Sequence, residues 1–138
     1  MTAPTGSPTA PADFPSDIWL PPSGTAICSA SDIEEGEARG FVLHGDSAAR
    51  RLDMIVWHRP EGFRGFVNRC PHLFLPLETF PDRFLTANGA ALVCSAHGAM
   101  FDGTGQCFAG PCMGDRLLRL DIELDDAKNI VLMGWLRA

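Results

Sequence analysis

Short hydrophobic runs separated by turn residues recur along most of the chain. In Leu117–Leu124, four aliphatic side chains alternate with polar ones, and a period of two is typical of a half-buried strand. Runs spaced by about ten residues are typical of a β-sandwich or barrel. The pattern predicts an all-β domain with strands at Ala26–Ser29, Arg39–Leu43, Leu52–His58, Phe63–Asn68, Phe84–Ala87, Ala90–Cys94, Ala99–Asp102, Gln106–Phe108, Leu117–Leu124 and Ile130–Trp135.

Turn residues connect several of these strands into predicted hairpins. Asn88-Gly89 is the strongest signal, because this pair favours the positive φ angles of a two-residue hairpin turn. Pro60–Gly62 and Gly103–Gly105 predict two more hairpins. Ser31–Gly36 predicts one helical turn at most.

Length and composition favour a single domain without nucleic-acid or membrane contacts. The chain has 138 residues and a net charge of −6, which disfavours both nucleic acid and an anionic membrane surface. We see no run near the roughly 20 apolar residues that span a bilayer. Residues 1–16 are rich in Pro, Thr, Ala and Ser, so we expect a disordered tail before a domain at 17–138. The tail does not resemble a signal peptide, so we expect a cytoplasmic protein.

Two short segments combine a thiol with an imidazole. Cys70-Pro71-His72 and, 21 residues later, Cys94-Ser95-Ala96-His97 each follow a predicted strand. Two Cys and two His hold a Rieske-type [2Fe–2S] cluster, and the same donor set binds zinc in a tetrahedron. The spacing is compatible with either metal centre, the [2Fe–2S] cluster or zinc.

From Ile27 to the end, the chain resembles the Rieske ferredoxin-like family. That family has a first box C-x-H-x-G-x-x-L, matched by residues 70–77 except at Phe74, and a second box C-x-x-H-G-x-x-F, matched by residues 94–101. Thr104-Gly105 and Gly110-Pro111 match the turn and the proline loop that covers the cluster. The resemblance implies a Rieske-type β-sandwich or barrel base with an inserted small cluster-binding subdomain, whose loops span about 69–112. It implies one [2Fe–2S] cluster, with Cys70 and Cys94 on one iron and His72 and His97 on the other.

Three positions depart from the family pattern or from its high-potential members. Phe74 replaces the usual Gly of the first box, where a positive φ would strain a bulky residue. High-potential members carry a Ser and a Tyr after the second box, and the aligned residues here are Ala99 and Phe101. The chain contains no Tyr. Because hydrogen bonds to cluster sulfurs raise the potential, we expect a low-potential Rieske centre.

Three further cysteines, Cys28, Cys107 and Cys112, lie outside the two boxes. We interpret them as small buried thiols. The alternatives are a disulfide between Cys107 and Cys112, or a four-thiolate cluster that these two form with Cys70 and Cys94.

We expect a one-electron carrier with no catalytic activity of its own. The resemblance implies redox protein partners, a reductase on one side and a terminal oxygenase or other oxidoreductase on the other. The alternatives are a small Rieske subunit or accessory module of a larger oxidoreductase, such as nitrite reductase, and a metal-stabilised interaction module. The sequence shows neither a dinucleotide-binding glycine motif nor enough further His residues for a mononuclear iron site.

Overall fold

A computed structural model describes Pro15 and residues 18–71, 76–78, 82–94 and 98–136. In this part of the chain, nine strands form two antiparallel sheets. The larger sheet has the order β1-β9-β8-β4-β3-β2, and the smaller sheet has the order β5-β6-β7. The strands are β1 Thr25–Ser29, β2 Ala38–His44, β3 Arg51–Arg59, β4 Gly62–Val67, β5 Leu92–Val93, β6 Met100–Phe101, β7 Cys107–Ala109, β8 Arg119–Leu124 and β9 Asn129–Leu136.

The smaller sheet belongs to an insertion in the larger one. The chain leaves the large sheet after β4 and returns to it in β8, and these two strands pair with each other, with Gly65 opposite Leu120. The amide of Val67 also donates to the carbonyl of Leu118 at 2.9 Å. The whole segment between these points, which carries both cysteine boxes, therefore begins and ends at neighbouring positions of the base.

Strand β3 separates two hydrophobic cores. Because successive side chains of a strand point to opposite faces, Met54 and Val56 pack into the core of the base. Ile55 and Trp57 pack into a second core together with residues of the insertion. All four are at most 1% exposed. The second core therefore joins the insertion to the large sheet.

The expected all-β architecture and most of the expected strands are confirmed. A hairpin turn also forms at this place, but it is wider than the predicted two-residue turn. The amide of Thr86 donates to the carbonyl of Ala91 at 2.9 Å and the amide of Gly89 donates to the carbonyl of Thr86 at 2.8 Å, so the loop has four residues, of which only Gly89 has a positive φ, 71°. Phe84–Ala87 forms only an isolated bridge, from Leu85 to Leu92, rather than a strand. The fully buried Phe84 ring lies against Gly40 of β2, so this segment packs onto the base instead of extending the small sheet.

The helical turn predicted near Ser31 is a 3-10 turn at Ala30–Asp32, capped by the Ser29 side chain. Within the described residues, no helix is long and apolar enough to cross a membrane. The expected tail falls almost entirely outside the described residues, as do His72, Phe74 and His97.

Candidate metal centre

Asn68 fixes the loop that carries Cys70. This residue follows β4 directly, and its side-chain oxygen accepts a hydrogen bond from the amide of Leu77 at 2.8 Å. Its side-chain nitrogen donates to a Glu78 carboxylate oxygen, also at 2.8 Å. One amide side chain therefore joins the two ends of the first box, and Cys70 lies between them with its side chain fully buried.

The loop that carries Cys94 is closed by backbone hydrogen bonds. Cys94 comes directly after β5, its amide donates to Ala99 at 2.8 Å, and its carbonyl accepts from Gly98 at 2.8 Å. Gly98 has a φ of 74°, a conformation that favours glycine. Gly98 of the second box thus lets the chain turn back immediately, while Cys94 stays fully buried.

The proline loop lies directly against the second box. A Cβ atom built on Gly110 would come 2.6 Å from the Cα atom of Ala99, so only glycine permits this approach. Gly110 also has a φ of 93°. The loop is held further by hydrogen bonds from the Cys107 amide to Asp115 at 2.9 Å and from the Asp115 amide to Cys112 at 2.8 Å.

Four cysteines belong to the core beneath these loops. Cys70 and Cys94 are 0% exposed, and Cys107 and Cys112 are 2% exposed. The sulfurs of Cys107 and Cys112 are 3.0 Å apart. Burial, together with the neighbouring Cys107 and Cys70, raises the pKa of Cys112 to about 12. The expected burial is correct for these two thiols, whereas Cys28 is only half-buried.

The described residues fit the cysteine half of the expected donor set. Cys70 and Cys94 come from two separate loops, and both reach the same water-excluded core, which suits thiolate ligands. His72 and His97 lie outside the described residues. Among the described side chains, no three potential ligands are grouped to hold a metal ion, so the ligand set as a whole stays a prediction.

Ala99 and Phe101, which by the resemblance align with the hydroxyl residues of high-potential Rieske proteins, are apolar and buried. Ala99 and Phe101 are 0% exposed and belong to the same core as Cys70 and Cys94. The site therefore has no hydroxyl at either position.

The sequence analysis did not single out Asn68. An Asn two residues before the first cysteine is a local signal, because its side chain can bond to nearby backbone.

One comparison with known proteins identifies a family. A family model described as the Rieske [2Fe-2S] domain matches residues 23–125. No curated protein matches the sequence significantly.

Solved structures with a similar fold include three informative cases. A chain of the complex between reduced oxygenase and oxidized ferredoxin in carbazole 1,9a-dioxygenase has a TM-score of 0.61 and 22% identity, covering 89% of this chain and 99% of that one. The ferredoxin of carbazole 1,9a-dioxygenase from Nocardioides aromaticivorans IC177 has a TM-score of 0.60 and 17% identity, covering 81% and 98%. A putative small subunit of NADPH nitrite reductase has a TM-score of 0.58 and 14% identity, covering 81% and 99%.

Proposed function

Since the chain belongs to the Rieske [2Fe–2S] domain family, we propose that it carries single electrons between a reductase and a terminal oxygenase or another oxidoreductase. When bound, the [2Fe–2S] cluster of this family supplies reversible one-electron exchange. The main support from this chain is the burial of Cys70 and Cys94 in one core, each on a loop fixed by hydrogen bonds. Such loops hold ligands in place with little rearrangement between oxidation states.

We propose that Cys70 and Cys94 bind one iron and that His72 and His97 bind the other. The family match favours this cluster over a zinc site. Neutral imidazole ligands tolerate contact with water or a partner protein, whereas thiolates need shielding, and both cysteines are shielded here. Single substitutions of each ligand to Ser should abolish the visible absorption and the EPR signal of the reduced protein. Cys28→Ser and His44→Ser are the matched controls and should keep both.

A different pattern of losses would reject this ligand set. If His72→Ser and His97→Ser keep the Rieske spectrum while Cys107→Ser and Cys112→Ser lose it, the centre is a four-thiolate cluster. A colourless protein that contains zinc would reject electron transfer altogether.

We propose a midpoint potential at the low end of the Rieske range of roughly −150 to +300 mV. The apolar side chains of Ala99 and Phe101 support this proposal, because neither side chain can donate a hydrogen bond to a cluster sulfur. Voltammetry at neutral pH should give a value below zero, and Phe101→Tyr should raise it if the new hydroxyl reaches a sulfur. A wild-type value well above zero would contradict the proposal.

One alternative to the role of a free electron carrier has specific support, namely a subunit of a larger oxidoreductase. The chain covers 99% of a structure described as a putative nitrite reductase small subunit, so the same domain could serve as a permanent subunit. Anaerobic purification from the native cells distinguishes the two roles. A carrier should elute alone and accept electrons from a separate reductase, whereas a subunit should co-purify in fixed stoichiometry with a larger oxidoreductase. A cytoplasmic location stays a prediction from the sequence.

A further inference from the structure

Cys107 and Cys112 face each other on the two sides of the proline loop. Their sulfur atoms are 3.0 Å apart. Both are thiols, and each is only 2% exposed. A disulfide bond is about 2.05 Å long, so an approach of about 1 Å would bring the two sulfurs to bonding distance. Neither cysteine belongs to the two boxes, so the proposed ligand set leaves this pair without a role.

The backbone around the loop keeps the two sulfurs together. Cys107 begins β7, and its amide donates to the carbonyl of Asp115 at 2.9 Å. One residue further out on each side, Gln106 and Arg116 form an isolated bridge, and their side chains are hydrogen-bonded at 2.8 Å. The amide of Asp115 donates to the carbonyl of Cys112 at 2.8 Å. The proximity of the two sulfurs therefore comes from the folded loop and does not need a bond between them.

The removal of both thiol hydrogens leaves no buried group without a partner. The Cys107 sulfur donates to the carbonyl of Ala109 at 3.2 Å, and the Cys112 sulfur donates to the Cys107 sulfur. Thiols are weak donors. The second contact is replaced by the new bond itself. Ala109 is only half-buried, so water can replace the donor that its carbonyl loses.

We propose that Cys107 and Cys112 are a reversible redox pair, which as a disulfide holds the proline loop against the second box. The ring that this bond closes includes Gly110, which approaches the backbone of Ala99. Oxidation therefore restricts the segment that packs against the second box, while reduction releases it. Disulfides in reducing compartments are usually transient or redox-sensing, which favours a reversible bond over a permanent one.

The oxidation is a thiol–disulfide exchange with a small disulfide. The thiolate of one cysteine attacks the small disulfide, forms a mixed disulfide and releases one small thiol. The second cysteine then attacks the first, which forms the protein disulfide and releases the second small thiol. The two protein thiols thus lose two electrons and two protons, and the small disulfide gains both.

The exchange requires the loop to open, because buried thiols are inert. Cys112 is the buried member of a turn in which Pro111, Met113 and Gly114 are exposed. Segments with few buried contacts open locally at low cost in free energy. The turn can therefore uncover Cys112 without unfolding the rest of the domain.

The test treats the cluster-loaded wild type with an excess of glutathione disulfide and counts free thiols by mass spectrometry after alkylation in denaturant. The chain has five cysteines, and the treated sample should take up two labels fewer than a sample kept reduced. Peptide mapping should locate the bond between Cys107 and Cys112, and dithiothreitol should reverse it. Cys28→Ser is the matched control and should form the same bond, whereas Cys107→Ser should not.

The effect on the loop is measured on the same two states of the wild type. Closure of a six-residue ring should lower the unfolding equilibrium constant by about 40-fold, and the oxidised state should lose its cluster to a chelator more slowly. Cys107→Ser given the same treatment should show neither change.

Several results would overturn the inference: a full set of thiols after treatment, a bond to any other cysteine, or equal bleaching rates in the two states. Loss of the visible absorption in both Cys107→Ser and Cys112→Ser would also overturn it, because both thiols would then be metal ligands. The measurements on the wild type decide even if a variant does not fold. Failure of the proposed electron transfer leaves the inference standing, since the thiol count does not depend on it.

Discussion

Gly110→Ala should detach the proline loop from the second box. The new Cβ atom would lie 2.6 Å from the Cα atom and 3.0 Å from the nitrogen of Ala99. Ordinary van der Waals contact begins at 3.4 Å, and both atoms belong to the backbone, so neither can rotate away. The loop must move outward by nearly an ångström, and this movement opens the core that contains Cys94 to water.

Gly114→Ala in the same loop separates this steric effect from backbone strain. Gly110 and Gly114 have φ angles of 93° and 99°, but a Cβ on Gly114 would meet nothing within 4 Å. Both substitutions force an L-residue into the left-handed region, at about 1–2 kcal/mol. Overpacking adds about 1–3 kcal/mol at Gly110 alone. We therefore expect a loss of about 2–5 kcal/mol for Gly110→Ala and about 1–2 kcal/mol for Gly114→Ala.

The assay measures urea unfolding of both variants and the rate at which a chelator bleaches their visible absorption. Gly110→Ala should unfold at lower urea concentration than Gly114→Ala and should lose its cluster faster. Equal unfolding midpoints and equal bleaching rates in the two variants would show that the proline loop is not held against the second box in the way described.

Two further predictions concern the hydrogen bonds around the boxes. Asn68→Ala should speed chelator bleaching and lower the free energy of unfolding by about 1–3 kcal/mol, because it leaves the amide of Leu77 without its acceptor; a bleaching rate equal to wild type would contradict this. At Asp102, burial opposes ionisation, but hydrogen bonds from Thr104 and Gln106 outweigh it and lower the pKa. Its stabilisation is therefore complete above the unfolded pKa of about 3.9 and disappears as the pH falls through the folded pKa. Asp102→Asn should destabilise the protein in urea at pH 7 more than at pH 3; an equal loss at both would contradict the assignment.

Most strands were predictable, because the alternation of apolar and polar residues that marks a strand lies within the strand itself. A turn at Asn88-Gly89 was predictable for the same reason, but its length was wrong, because Asn88 does not take the positive φ that a two-residue turn requires. The prediction of a strand at Phe84–Ala87 was wrong, because the Phe84 ring contacts Gly40 across the fold. The short run from Phe84 to Ala87 carries no sign of that contact.

For the site, sequence and structure contribute different parts. The pairing of thiol and imidazole in each box is the basis of the proposed ligand set, and the family match supports the cluster. The presence of Cys107 and Cys112 in the same core as Cys70 and Cys94 depends on how the proline loop returns over the insertion. Burial of Cys107 and Cys112 followed from the apolar character of cysteine, but the same argument failed for the half-buried Cys28 because it considers residue type alone.

The three loops of the candidate site are each fixed without the use of a cysteine sulfur. The Asn68 side chain closes the loop of Cys70, and the turn at Gly98 closes the loop of Cys94. The proline loop is held by the close approach of Gly110 to Ala99. The contacts that position the Cys70 and Cys94 backbones therefore leave both sulfurs out. The same core reaches Trp57 in the base, so displacement of a loop also disturbs packing against the large sheet. Because of this coupling, a variant that breaks a contact closing one of these loops should lose its cluster faster and should also lower the free energy of unfolding of the whole domain.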